Sequence, residues 1–146
     1  MKKFLSLILF IGLSASAADF QGLYSSKDGN YKVELPNVSF SFSCSYVILK
    51  ISSLNNFIRI STNFNCEDLE DQEFVGLYLE LVNGKLYYKN REVGYISENE
   101  LFVQVPDGQG FEIYSLKWES SGLRYFHQSS LYGNDLGTLE AILKKF

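Results

Sequence analysis

The sequence predicts an all-β domain with one C-terminal helix, folded as an antiparallel up-and-down β-barrel of about 8–10 strands. Three observations carry this reading. Runs of Phe, Tyr, Val, Ile and Leu alternate with polar residues at period two, the pattern of a half-buried strand. Gly, Asn and Asp interrupt those runs every ~8–12 residues, and the chain has only 2 Pro. The last dozen residues alone change period. A two-sheet β-sandwich with a packed helix is the alternative arrangement of the same elements.

The chain opens with Lys2-Lys3, an apolar run from Phe4 to Leu13, and Ser14-Ala15-Ser16-Ala17. A basic start, a short apolar core and an A-x-A site are the parts of a cleavable signal peptide, here residues 1–17. The apolar run falls well short of the ~20 residues a membrane span needs. The expectation is an exported chain, periplasmic or secreted, with one domain over 18–146 and no membrane span. Loss of Lys2 and Lys3 takes the formal charge from −4 to −6. An acidic domain without a basic cluster is poorly suited to nucleic acid, where Lys and Arg must neutralise phosphates.

Strand by strand, Asp28-Gly29 reads as a hairpin turn between Phe20–Ser26 and Tyr31–Leu35. Val47, Leu49 and Ile51 form an apolar face, as do Ile58, Ile60 and Thr62 beyond a turn at Ser52–Asn56. Matching those faces pairs Ile51 with Ile58, Leu49 with Ile60 and Val47 with Thr62. That register brings Cys44 within one residue of Cys66, a gap that one β-bulge closes. The 2 cysteines are therefore expected as a disulfide, in keeping with an oxidising compartment. Asn83-Gly84 is a type I′ signal that sets Leu81 opposite Leu86. Glu98-Asn99, Pro106–Gly110 and Ser120–Gly122 supply three further turns. Leu136, Leu139, Leu143 and Phe146 then fall on one helical stripe, and the expected helix spans about 135–146.

Phe20-Gln21-Gly22-Leu23-Tyr24 resembles the opening of lipocalin-like barrels, where an aromatic follows a Gly by two residues on the first strand. The usual Trp is missing from this stretch. The resemblance implies a general barrel shape and carries no site residue with it.

Candidate chemistry is sparse. His127 is the one histidine, hence the one side chain that ordinarily titrates near neutrality. No G-x-S-x-G elbow and no acid–base–nucleophile set surrounds it, so no catalytic residue is assigned and no cofactor is called for. With Trp118 facing Leu123, residues Tyr114, Trp118, Tyr125 and His127 share a face and are candidates for lining a ligand inside the barrel. Glu67, Asp68, Glu70, Asp71 and Glu73 form an acidic loop, a candidate contact for a basic protein surface or for Ca²⁺. Its spacing matches no EF-hand, and no metal is assigned. Exposed tyrosines such as Tyr78, Tyr87 and Tyr132 are further candidate contacts. Asn37-Val38-Ser39 fits a glycosylation sequon, set aside because the short Lys-Lys leader is of bacterial type. The sequence thus points to an exported, non-enzymatic binding protein holding a small apolar ligand. A protein–protein module using the acidic loop and tyrosines is the alternative.

Overall fold

In the computed structural model the described residues are 19–131 and 134–146, without the side chains of Phe74 and Val75. The signal-peptide reading (1–17) and Tyr132 lie outside them. Eleven strands follow in order: β1 (Gly22–Ser26), β2 (Gly29–Leu35), β3 (Val38–Leu54), β4 (Phe57–Cys66), β5 (Gln72–Val82), β6 (Lys85–Tyr88), β7 (Arg91–Ile96), β8 (Glu100–Asp107), β9 (Gly110–Glu119), β10 (Gly122–Ser130) and β11 (Leu136–Lys145).

Consecutive strands from β2 to β11 pair antiparallel, and β11 returns to pair with both β2 and β1. β1 also pairs with β3. β1 and β2 therefore occupy one position in the wall, and the barrel closes with ten positions. Closure leaves the barrel wall without the two open edges that a sandwich would expose.

Two expectations are corrected here. Asp28-Gly29 is not a hairpin. Ser26↔Val47 and Gly29↔Cys44 belong to one uninterrupted register along β3, so the chain runs straight on through a kink. A type I′ turn needs positive φ at its centre, and neither Asp28 nor Gly29 has it. Gly29 serves close approach instead, since a Cβ there would sit 2.5 Å from Val47 Cγ2 and 3.2 Å from Cys44 Cβ. The real hairpin is one turn later, between Leu35 and Val38. Residues 136–145 are the closing strand rather than a helix. Leu139, Ala141 and Leu143 point inward between Glu140, Ile142 and Lys144, a period-two pattern that overlaps a helical stripe at two leucines. Pairing with β10 on one side and β2 on the other satisfies every ladder position from Leu136 to Ala141. A helix would leave both neighbours with an unpaired edge.

The other turns follow the sequence. Asn83 and Gly84 have φ of 51° and 78°, and Leu81 faces Leu86. Lys89-Asn90 repeats the positive-φ pair between β6 and β7. Trp118 faces Leu123 across the 120–121 turn. The β3–β4 hairpin turns tightly at Asn55-Asn56, so its register lies two residues from expectation: Ile51↔Ile60 and Leu49↔Thr62. An even shift keeps every inward side chain inward. A bulge at Ser45 then sets Cys44 opposite Cys66, and the disulfide forms with S–S 1.99 Å.

Inside, Val47, Leu49, Ile60, Leu79, Leu101, Leu116, Leu139 and Leu143 have at most traces of accessible surface. One end is plugged by aromatics. Trp118 stacks on Phe20 with ring centres 6.3 Å apart and meets Tyr24 edge-on at 5.9 Å. The Tyr24 hydroxyl donates to the Phe20 carbonyl at 2.8 Å.

Candidate functional site

The row Tyr114, Tyr125, His127 and Trp118 lies inside the barrel, as its parity on β9 and β10 requires. It is filled rather than hollow. Tyr125 and His127 have no accessible surface and Tyr114 has 2%, so no water-sized space opens onto them. The Tyr125 hydroxyl shares a hydrogen bond of 2.8 Å with Thr62 Oγ1 on the opposite wall. The Tyr114 hydroxyl donates to Glu112 Oε2 at 3.0 Å, and the Tyr114 ring packs on His127 with centres 4.4 Å apart. Burial raises both phenol pKa values and lowers that of His127 to about 4. Burial likewise raises the Glu112 carboxyl, opposed by the Tyr114 hydrogen bond. His127 is thus neutral at ordinary pH and out of reach of dissolved substrate.

The five acidic side chains Glu67, Asp68, Glu70, Asp71 and Glu73 are all exposed, following Cys66 at the barrel end opposite the aromatic plug. Asn65 Nδ2 donates to Asp71 Oδ1 at 2.6 Å. Among the described residues no three His, Cys, Asp or Glu side chains gather as a cation would need. Tyr78 is exposed beneath the Arg59 guanidinium, which lies 5.2 Å from its ring centre, and Tyr87 is half-buried.

A feature absent from the sequence reading lies on the outer wall. A groove of about 1020 Å³ crosses β8, β9, β10, β11, β2 and β3. Its floor is one row of ladder partners, Phe102, Ser115, Phe126, Glu140, Asn30 and Ser43. Ile113 and Ile142 flank the rings, while Gln128, Arg124 and Glu100 supply polar groups around them. The concavity follows from side-chain size, since Ser115, Asn30 and Ser43 are short where their neighbours are long. The kink at Lys27-Asp28 adds to it. There Ser26 Oγ accepts from the Asp28 amide at 3.0 Å, and the pairing with β11 slips by one residue between Ser25↔Lys144 and Gly29↔Ala141. Arg124 is held at the groove's side by a two-pronged bond to Glu119, Nε to Oε1 at 2.7 Å and a second nitrogen to Oε2 at 3.2 Å.

The signal for this groove was present but local. Phe102, Ile113, Phe126 and Ile142 are apolar at positions whose parity points outward. Their convergence depends on six strand registers, which no single stretch of sequence contains. Comparison of the chain with protein-family models, with curated proteins and with solved structures finds no match.

Proposed function

We propose that this chain is an exported, non-enzymatic binding protein that holds a small ligand with an apolar face on the outer wall of its barrel. The observation that carries the reading is the groove floor, where two Phe rings alternate with hydroxyl, amide and carboxylate groups. Ligand sites combine an apolar surface with a few placed polar groups at volumes of ~300–1,000 Å³. The packed interior row supports an outer site over an inner one. The Cys44–Cys66 bridge and the leader-like residues 1–17 support export. Among the described residues no helix is long and apolar enough to cross a membrane.

Fragment screening by NMR tests the site. Binders should shift the amides of Phe102, Ser115, Phe126 and Glu140, and Phe126→Asp should abolish those shifts while the rest of the spectrum stays in place. Shifts confined to Tyr114 and His127 would move the site indoors and overturn the reading. The exposed acidic loop favours a second reading, contact with a basic protein surface. It predicts a partner lost when Glu67, Asp68, Glu70, Asp71 and Glu73 become Gln or Asn.

A further inference from the structure

β3 is longer than the barrel needs. On one side β2 pairs with it over Val38–Cys44 and β1 over Val47–Ile51; on the other, pairing with β4 stops at Cys44↔Cys66. One more contact follows, the Glu67 amide donating to the Ser43 carbonyl at 2.9 Å. Beyond it, Val38–Phe42 has no strand partner on this side among the described residues. Strand groups alternate in direction, so the side that Ser43 shows to Glu67 is also the side of the Ser41 and Ser39 N–H and C=O groups. The segment is also bare on one face, with Val38 47% and Phe40 48% exposed.

From this geometry we infer that Val38–Ser43 is a docking edge for a second copy of the chain, which adds antiparallel to it and joins the two barrels through a shared sheet. The choice of occupant rests on self-complementarity. Ser-Phe-Ser-Phe-Ser, residues 39–43, reads alike in both directions, so an antiparallel copy centred on Ser41 sets hydroxyl against hydroxyl and ring against ring. No charged residue occurs from Pro36 to Leu49, so the paired segments themselves set no like charges opposite each other. Natural edges of this kind carry Lys, Pro or a bulge as protection against pairing; Val38–Ser43 has none of these. The disulfide at Cys44 and the Tyr31–Phe64 ring contact (5.4 Å) fix the root of the hairpin, so little order must be gained on docking. The edge lies apart from the groove floor except at Ser43, and the inference does not depend on the proposed ligand site.

Sedimentation velocity on the disulfide-bonded chain tests it, from dilute solution up to about 1 mM, the range in which a weak edge contact registers. The expected result is a reversible monomer–dimer equilibrium. Ser41→Pro removes an outward N–H that the monomer does not use, and Phe40→Lys adds charge to the edge; each should weaken dimerisation at least about tenfold, a loss of ~1.4 kcal/mol. Circular dichroism and melting of both variants should match the parent. A parent that stays monomeric throughout, a dimer that both folded variants retain, or open-ended aggregation without a dimer would each overturn the inference.

Discussion

The two halves of β3 carry the same alternation and meet different fates. Along Val47–Ile51 the odd-numbered side chains are buried between β1 and β4. Along Val38–Phe42 an equally regular apolar face extends past the end of β4 and remains partly in solvent. Alternation decides which face a side chain takes. Whether that face becomes core is decided by the strands beside it, a property of registers far apart in sequence.

Substitutions sharpen the contrast. Leu49→Ala, in the buried half, should cost about 4 kcal/mol through lost burial and the cavity left behind, read as a lower denaturation midpoint. Replacing both Cys44 and Cys66 by Ala, at the boundary between the halves, should cost about 3 kcal/mol for a bridge with a sequence separation of 22. The buried row has its own pH signature. Folded His127 titrates at about 4 while the unfolded imidazole titrates near ~6.5, so the unfolded chain takes up the proton first. That share of stability is complete above about pH 6.5 and is lost as pH falls towards 4, by up to about 3 kcal/mol. Glu112, whose carboxyl pKa is raised, acts in the opposite sense. The quantity to measure is therefore the difference between parent and His127→Leu, which should lack the acid loss. Tyr125→Phe leaves Thr62 Oγ1 without its partner and should cost about 1.5 kcal/mol. Phe40→Ala, in the exposed half, should change monomer stability by less than about 0.5 kcal/mol.

Local features were legible where local chemistry determines the outcome. Asn83-Gly84 and Ser120–Gly122 mark their turns, and the facing of Trp118 and Leu123 places Tyr114, Tyr125 and His127 on one inner row by parity alone. The cysteine pair was legible because an even register error leaves faces unchanged. Asp28-Gly29 was misread because a Gly that permits close packing looks the same in sequence as a Gly that permits positive φ. Residues 136–146 were misread because Leu139 and Leu143 fit periods of both two and 3.6, and Ala141, the residue that would have decided, is small. The closing strand's partners settle the matter, and they lie about a hundred residues away, in β1 and β2. The outer groove was hidden for the same reason.

Hydrogen exchange resolved residue by residue along Val38–Leu54 tests the contrast most directly. In dilute solution the amides of Ser39 and Ser41 should exchange fast, while the ladder-bonded amides of Val47–Ile51 exchange only with global opening. Concentrating the protein should slow Ser39 and Ser41 and leave the buried half unchanged. Equal protection of both halves at every concentration would mean that the edge is covered within one chain, and would contradict the division of β3 into a core half and a docking half.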